Sequence, residues 1–189
     1  MADGERERWD RIWREAGSAD LVAPDWLEEL DAELPRAGRA LDVAAGAGRL
    51  ALYWAARGLE TLAIDISESG LSRTREAATS AGLALRTRAL DLEREAIPES
   101  GFAAISCFHY LQRDLFPGLV ERLAPDGVLV CEIATVRNLE RRERPTRRFL
   151  LEPNELLRLC APLEIVYYRE GWEGDRCQAR VVARRAPPR

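Results

Sequence analysis

The chain contains no lysine, so all 28 of its basic residues are arginine. A phosphate-binding loop of the GK[ST] type requires a lysine, and so does an enzyme that forms a Schiff base with its substrate. Both classes are therefore excluded. We attribute the arginine-only pattern to the codon bias of a GC-rich genome, which indicates a bacterial source.

Metal-binding patterns are also lacking. His109 is the single histidine of the chain, which excludes a histidine-rich metal centre. The four cysteines, at 107, 131, 160 and 177, show no C-x-x-C spacing, so we predict no metal site. Three of them lie in predicted strands, where a free thiol packs as a small hydrophobe. We expect all four to be reduced, as in a cytoplasmic protein.

Long apolar runs and an excess of basic charge are missing as well. No apolar run approaches the roughly 18 residues that span a bilayer. The charged N-terminal segment has no apolar core of the signal-peptide kind. The formal net charge of −4 provides no broad basic surface for nucleic acid. A hydrophobic content of 47% over 189 residues predicts one soluble cytoplasmic domain, 1–189, with no nucleic-acid or membrane partner.

Strand-like and helix-like segments alternate along the chain. Helices are predicted at 5–16, 24–34, 49–57, 67–80, 112–123 and 154–159, and strands at 39–43, 61–65, 83–90, 102–108, 128–133, 163–168 and 177–183. The alternation predicts an α/β fold with a parallel sheet and helices on both faces. Only a loop joins the last two strands, so the final strand is expected to run antiparallel to its neighbour. We expect 186–189 to be a loose tail.

The stretch ALDVAAGAGR at 40–49 joins an apolar strand to a helix through a turn of small residues. Gly46 and Gly48 lack a Cβ, so the turn can bring backbone N–H groups and a helix N-terminus close to a ligand. Open α/β sheets bind ligands at the carboxyl ends of their strands. Three further groups fall at such ends: Asp65, Asp91-Leu92 and Phe108-His109-Tyr110. Asp65 follows the turn by about 20 residues, the spacing of an acid that holds ribose hydroxyls.

The turn departs from the G-x-G-x-x-G pattern of nicotinamide enzymes and resembles the LDxGxGxGR turn of class I S-adenosylmethionine-dependent methyltransferases. The chain is similar to small bacterial members of the tellurite-resistance and thiopurine-methyltransferase-like kind. The resemblance is carried by RWDRIW (8–13), LDVAAGAGRLALYWAARG (41–58), AIDIS (63–67), YLQRDLFPGLVERLAPDGVLVCE (110–132) and FLLEPNELLRL (149–159). It implies a Rossmann-like, mostly parallel seven-stranded sheet with an antiparallel C-terminal strand. It also implies that the N-terminal helices, 1–36, cover the cofactor site.

The same resemblance implies S-adenosyl-L-methionine as the cofactor and assigns residues to its parts. Gly46 and Gly48 would pass under the methionine part, with Phe108 near it. The ribose and adenine would be held by Asp65 (ribose hydroxyls), Ile66 (adenine face), Asp91 (adenine amino group) and Leu92 (ring flank). Ala44 stands where the pattern usually has its first glycine, and its methyl group is expected to shift the turn slightly. Asp42 either organises the turn or contacts the cofactor amine.

Candidates for the acceptor side follow the strand ends and the N-terminal helix. His109 either deprotonates the acceptor or only forms a hydrogen bond beside its strand. Trp9, Trp13 and Tyr110 offer aromatic faces that suit a cationic donor; we assign Trp9 to the cofactor and Trp13 and Tyr110 to the acceptor. Packing in the core explains the two tryptophans equally well. Glu132, near the end of the fifth strand, faces either the acceptor pocket or a polar contact in the possible lid at 135–149.

The segment 135–149, which follows the fifth strand, is rich in arginine: 137, 141, 142, 144, 147 and 148. It is expected either to hang over the pocket, where Arg137 binds an anionic acceptor or the segment closes as a lid, or to form a solvated charged helix. Glu140 and Glu143 would then pair with its arginines.

These observations favour a methyltransferase that transfers a methyl group to a small-molecule acceptor by in-line displacement. The acceptor is expected to be anionic or thiol-like, and the protein to be a monomer or homodimer. Two alternatives stay open: a non-catalytic domain that binds S-adenosylmethionine as a sensor or scaffold, and an NAD-dependent oxidoreductase.

Overall fold

Seven strands form one mixed sheet in the computed structural model, which describes residues 2–17 and 21–187. The strands are β1 (Arg39–Val43), β2 (Glu60–Asp65), β3 (Leu85–Ala89), β4 (Phe102–Phe108), β5 (Leu123–Ala134), β6 (Glu164–Glu173) and β7 (Arg176–Arg184). Their order is β3-β2-β1-β4-β5-β7-β6. Neighbours among β1 to β5 pair in parallel, whereas β7 is antiparallel to both β5 and β6. The predicted Rossmann-like fold with an antiparallel C-terminal strand is confirmed.

Six α-helices flank the sheet within the part of the chain that the structure describes. They are α1 (Ala2–Glu15), α2 (Asp25–Glu28), α3 (Arg49–Ala56), α4 (Glu68–Ser80), α5 (Phe116–Arg122) and α6 (Glu155–Leu159). Short 3-10 turns occur at Asp31–Glu33, Arg113–Leu115, Val136–Glu140 and Arg147–Phe149. Ser67 caps α4 by accepting a hydrogen bond from the Gly70 N–H at 3.1 Å, as predicted from the sequence.

The sheet separates two hydrophobic cores because successive side chains of a strand point to opposite faces. Leu41 and Val43 pack with residues of α5 and α6 on one face. Ala40 packs on the other face with Trp26 of α2 and Trp54 of α3. Helices therefore cover both faces, and both cores lie directly beneath the carboxyl ends of the parallel strands.

Two predicted helices are wrong in extent, and one of them, at 112–123, is α-helical only at Phe116–Arg122, after a 3-10 turn. The helix expected at 24–34 ends at Glu28, because Leu30 leaves the helical region with φ −103° and ψ 16° before a separate 3-10 turn. The alternative that 135–149 is a charged helix is also wrong, since this segment contains two short 3-10 turns. Of the expected loose tail, residues 188–189 lie outside the described part of the chain, as do Met1 and 18–20.

The C-terminal hairpin folds so that β7, not β6, inserts beside β5. Hairpin formation made one antiparallel pair predictable, but it left open which of the two strands joins the parallel sheet. In the structure β7 pairs with β5 from Val128↔Arg184 to Ala134↔Gln178, which places Arg180 directly opposite Glu132. This register brings a charged pair to the end of the sheet where the candidate site lies.

No described helix combines the length and the apolar character needed to cross a bilayer. The four cysteines are free thiols, and all of them are buried.

Candidate functional site

The turn between β1 and α3 contains three residues with left-handed backbone conformations: Ala44 (φ 54°), Gly46 (φ 54°) and Gly48 (φ 87°). The Gly48 N–H closes the turn onto the Ala45 carbonyl at 2.8 Å, and the Ala45 N–H donates to Ile64 of β2 at 3.0 Å. Ala44 thus adopts the conformation that glycine takes most easily, and it does so with a Cβ. The fold accepts the departure from the glycine pattern at the expense of local strain.

Replacing Ala44 by glycine is expected to raise the free energy of unfolding by up to about 1 kcal/mol. Relief of left-handed strain, about 1–2 kcal/mol, exceeds the extra chain entropy that glycine gives the unfolded state, about 0.4–1 kcal/mol. Urea denaturation measures the change. Ala47→Gly is the matched control, because Ala47 is buried in the same turn without a positive φ, and it is expected to be destabilising. A loss of stability in Ala44→Gly would contradict the strain argument.

Asp42 is a buried acid that joins three elements. Its Oδ2 accepts from the Ala51 N–H in the first turn of α3 at 2.9 Å, and its Oδ1 accepts from Ser106 Oγ of β4 at 2.7 Å. Ser106 Oγ in turn accepts from Trp54 Nε1 at 3.0 Å. Burial raises the pKa of Asp42 to about 7. These contacts favour the turn-organising interpretation of Asp42 over contact with the cofactor amine.

Asp65, at the end of β2, ties the glycine turn to the start of α4. Its Oδ2 accepts from the Gly46 N–H and its Oδ1 from the Ser67 N–H, each at 2.8 Å. Burial raises the pKa of this carboxyl. The Ile66 N–H also donates to this carboxylate, and of its four lone-pair positions one remains to accept a further donor. Asp65 therefore holds the turn, and its contact with ribose hydroxyls stays a prediction.

Trp13 of α1 packs on the glycine turn. A Cβ on Gly46 would lie 2.3 Å from Trp13 Cζ2, and a Cβ on Gly70, in the first turn of α4, would lie 3.0 Å from Trp13 Cδ1. A Cβ on Gly48 would likewise lie 2.5 Å from Thr74 Cγ2. Packing alone therefore requires glycine at these positions, a constraint that the sequence pattern did not reveal.

Polar contacts fix α1 beside α4. Asp10 accepts from Ser67 Oγ at 2.6 Å and from the Ser69 N–H at 3.0 Å, and Arg73 donates to the Trp13 carbonyl at 2.8 Å. Trp9 is 38% exposed, with the Arg8 guanidinium 5.6 Å from its ring. Of the two tryptophans proposed from the sequence, Trp13 is the one that contacts the turn, and a cofactor role for Trp9 stays a prediction.

Ile66, Asp91 and Leu92 border the same end of the sheet. Asp91 is buried, and its Oδ1 accepts from the Glu93 N–H at 3.1 Å, so it organises the turn after β3. Ile66 and Leu92 are both half-buried and apolar, as expected of side chains that pack on a ring. The structure thus leaves apolar surface on both residues next to the two buried acids.

An aromatic stack on Phe108, at the end of β4, and on Tyr167, within β6, was not foreseen from the sequence. The ring of Trp26 lies parallel to Phe108, with centroids 6.0 Å apart, and to Tyr167, with centroids 5.6 Å apart. The Arg180 guanidinium lies 5.5 Å from the Trp26 ring. Phe108 is therefore buried under α2, and α2 covers this end of the sheet.

Glu132 of β5 lies beneath this stack and is buried. Its Oε2 accepts from Trp26 Nε1 at 2.9 Å and from Arg180 Nε at 2.7 Å, and its Oε1 accepts from Gln178 Nε2 at 3.2 Å. Arg180 also pairs with Glu173. The expected polar contact of Glu132 with the arginine-rich segment is therefore wrong, because its partners lie on α2 and β7.

His109 follows β4 with φ 58°, and its N–H donates to the Glu132 carbonyl at 2.8 Å. Its Nε2 lies 3.7 Å from Glu132 Oε1. Burial lowers the pKa of the imidazole, the charges of Arg176, Arg49 and Arg180 lower it further, and Glu132 opposes them. The neutral ring, which can accept a proton, is thereby favoured.

Tyr110 points away from free solvent into the main core. Its hydroxyl donates to Gln112 Oε1 at 2.7 Å, and Gln112 Nε2 donates to the Leu92 carbonyl at 3.1 Å. Burial raises the pKa of Tyr110, so the hydroxyl stays protonated. Tyr110 links the end of β4 to the loop after β3, next to the predicted adenine position.

The arginine-rich segment is attached to the C-terminal hairpin. Buried Asn138 donates to the Cys177 carbonyl at 2.6 Å and accepts from the Cys177 N–H at 3.2 Å. The guanidinium groups of Arg137 and Arg141 lie 5.7 and 3.6 Å from the ring centroid of Trp172. The start of the segment is thus fixed, with Arg137 half-exposed and paired to Glu140 at 3.2 Å.

Some of the residues that the sequence left unassigned carried a usable signal. Arg180 is a single arginine within the apolar strand segment CQARVVA, and a charge in such a position requires a buried partner. Trp26 has an indole N–H that needs an acceptor when the ring is buried. Neither signal identifies Glu132 as the shared partner, because the three residues are distant in sequence.

Comparison with known proteins places the turn and the acids in a recognised domain. Residues 40–127 match the family described as Methyltransferase domain. The chain is 28% identical over 121 residues to the candidate methyltransferase YqeM of Bacillus subtilis (strain 168), covering 57% of this chain and 47% of YqeM. The chain thus spans about half the length of that relative.

Solved structures share the fold at low sequence identity. TehB from Haemophilus influenzae superposes with a TM-score of 0.73 at 18% identity, covering 94% of this chain and 67% of TehB. An S-adenosylmethionine-dependent methyltransferase from Clostridium acetobutylicum ATCC 824 gives 0.69 at 16% identity, covering 97% and 98% of the two chains. Residues 40–127 thus resemble a methyltransferase domain, and the chain shares the fold of S-adenosylmethionine-dependent methyltransferases.

Proposed function

We propose that the protein transfers a methyl group from S-adenosylmethionine to a small-molecule acceptor. The observation that carries the proposal is the constellation at the carboxyl ends of β1 to β3: a glycine turn, two buried acids and two half-buried apolar side chains, inside a matched methyltransferase domain. The donor set suits the cofactor, because a ribose diol and an adenine amino group need acceptors and the adenine ring needs apolar faces. Asp65 and Asp91 supply the acceptors, and Ile66 and Leu92 the faces.

The cofactor supplies an activated methyl group on a sulfonium, so the residues of the chain mainly provide orientation and a site from which water is excluded. Holding an acceptor in line is worth about 7 kcal/mol or more of barrier reduction. Asp65 fixes the turn and the ribose position together. Trp26, through its stack on Phe108, keeps α2 over the sheet end and shields it from water. His109 is placed to take a proton from the acceptor.

We infer that the acceptor carries negative charge. Arg176, at the start of β7, is exposed and makes no ion pair with the described residues. Its positive charge, like those of Arg49 and Arg180, lowers the pKa of His109. Arg137 and Arg141 border the same end of the sheet on Trp172. Guanidinium groups favour carboxylates and phosphates. An acceptor panel of thiols, carboxylates and neutral phenols tests this, with preference for anionic members expected and preference for neutral members contradicting it.

The four buried free thiols favour a reducing compartment, and we propose the cytoplasm as the location.

Asparagine in place of Asp65 is expected to weaken S-adenosylhomocysteine binding by about 10- to 100-fold, because loss of a charged hydrogen bond costs about 1.5–3 kcal/mol. Isothermal titration calorimetry measures the affinity, and circular dichroism checks that the variant is folded. Glu68→Gln is the matched control, since Glu68 is an exposed acid in the first turn of α4. Unchanged affinity in Asp65→Asn would argue against the ribose assignment.

Titration with NAD separates the enzyme classes. We expect binding of S-adenosylhomocysteine and none of NAD, and tight binding of NAD alone would overturn the proposed function. Binding of S-adenosylmethionine without formation of S-adenosylhomocysteine over the acceptor panel would favour a non-catalytic sensor.

A further inference from the structure

The carboxylate of Glu132 retains one unused acceptor position, and that position faces His109. Its Oε2 has two donors, Trp26 Nε1 and Arg180 Nε, which use both lone pairs. Its Oε1 has one hydrogen-bond donor, Gln178 Nε2, and keeps a second lone pair. His109 Nε2 lies 3.7 Å from this oxygen. The approach is slightly longer than a hydrogen bond and within the range of an ion pair.

The imidazole of His109 lies between this carboxylate and the open end of the sheet. Its side chain is 48% exposed, whereas that of Glu132 is 6% exposed. The left-handed φ of His109 is strained for a residue with a Cβ, by about 1 kcal/mol or more. The bond from its N–H to the Glu132 carbonyl keeps it there. Strained residues of this kind are concentrated at functional sites.

We propose that Glu132 is a positioning residue for His109: it holds Nε2 as the protonated nitrogen and leaves Nδ1 free to accept the proton of the acceptor. The inference rests on the proposed function for the identity of that acceptor. As the acceptor atom bonds to the methyl carbon, the carbon–sulfur bond breaks and its electron pair stays on sulfur. The proton leaves the acceptor for Nδ1, and the resulting imidazolium is stabilised by the Glu132 carboxylate before it releases a proton to water.

The other charges around His109 have the opposite effect. Arg176 and Arg180 of β7 and Arg49 of α3 disfavour an imidazolium, and burial of the ring does the same. Of these neighbours, Glu132 is the group that favours it. Removing the charge of Glu132 is therefore expected to lower the pKa of His109 and to release the constraint on its tautomer.

Glu132→Gln tests the arrangement sharply. The glutamine oxygen is needed at the Oε2 position by Trp26 and Arg180, so its amide nitrogen is directed to the Oε1 position. Gln178, whose Nε2 donates to Oε1 in the unsubstituted protein, then turns its amide so that its oxygen accepts from this nitrogen. A donor at that position repels an Nε2–H group and favours an imidazole whose proton is on Nδ1. The substitution is thus expected to switch the tautomer of the neutral ring.

Nitrogen-15 NMR of histidine-labelled protein provides the readout, because His109 is the single histidine and gives one set of ring signals. We expect the Nε2–H tautomer in the unsubstituted protein, and the Nδ1–H tautomer with a lower pKa in Glu132→Gln. Glu173→Gln is the matched control, since Glu173 also pairs with Arg180 but is half-exposed, and we expect it to preserve the tautomer. An Nδ1–H tautomer in the unsubstituted protein overturns the proposal, even if Glu132→Gln fails to fold.

Kinetics distinguish positioning from a structural effect. Turnover by Glu132→Gln is expected to fall by about 100-fold with an acceptor that must lose a proton, and little with one that is already ionised. An equal loss with both acceptors contradicts positioning. Calorimetry with S-adenosylhomocysteine separates the two proposals. If S-adenosylhomocysteine does not bind, the proposed function is rejected, whereas the tautomer of His109 tests the role of Glu132 independently of that binding.

Discussion

Trp26→Ala is expected to lower the free energy of unfolding by about 3–5 kcal/mol, the range for truncating a buried aromatic side chain. Trp26 is 6% exposed, stacks on Phe108 and Tyr167, and donates to Glu132. The alanine variant loses this packing, opens a cavity between α2 and the sheet, and removes one donor from a buried carboxylate. Urea denaturation followed by circular dichroism measures the change.

Trp26→Phe separates packing from hydrogen bonding at this position. Phenylalanine keeps most of the apolar contact and removes the indole N–H, so we expect a loss of about 1–3 kcal/mol, the cost of one unmet buried hydrogen bond. Arg180 and Gln178 still donate to the carboxylate in this variant. A loss as large as that of Trp26→Ala would show that the hydrogen bond, not burial, dominates. A loss below about 1 kcal/mol in Trp26→Ala would contradict the packing argument itself.

Asp42→Asn is expected to change how stability depends on pH. Burial raises the pKa of Asp42 from 3.8 to about 7 in the folded protein. Below about pH 4 the carboxyl is protonated in both states, and above about pH 7 the folded protein must bury a charge that the unfolded chain exposes to water. Asparagine carries no charge and still offers an oxygen to Ala51 and an amide to Ser106. Its advantage over aspartate should therefore grow across this interval, to about 4 kcal/mol at most.

The measurement is a series of urea denaturations from pH 4 to pH 8 on the two proteins. Other titrating groups are common to both, so their contributions cancel in the difference. Asp114→Asn, at an exposed acid, is the control and is expected to leave the pH dependence unchanged. Parallel stability curves for Asp42→Asn and the unsubstituted protein would contradict a raised pKa at Asp42.

The sequence determined the part of the site that depends on local order. This part lies within 39–67 and includes the first strand, the turn at Gly46 and Gly48, and the cap at Ser67. In this stretch the change from a strand pattern to a helix pattern occurs at small residues. Asp65 was placed at the end of its strand for the same reason: an apolar run that ends in an acid is a local pattern. The bounds of β4 were predicted correctly because the apolar run at 102–108 is flanked by a glycine and a histidine.

Only the tertiary structure decided which groups surround Glu132. Trp26 is 106 residues from Glu132, and Arg180 is 48 residues from it, so no periodic pattern relates the three. Their meeting depends on the insertion of β7 beside β5 and on the early end of α2. The glycine turn was recognised from the sequence, but the contact of Trp13 with Gly46 depends on how α1 docks on α4. Local preferences are set by neighbouring residues, whereas docking is set by the whole packed core, and for this reason the glycine turn and the strand ends were predictable and the network around Glu132 was not.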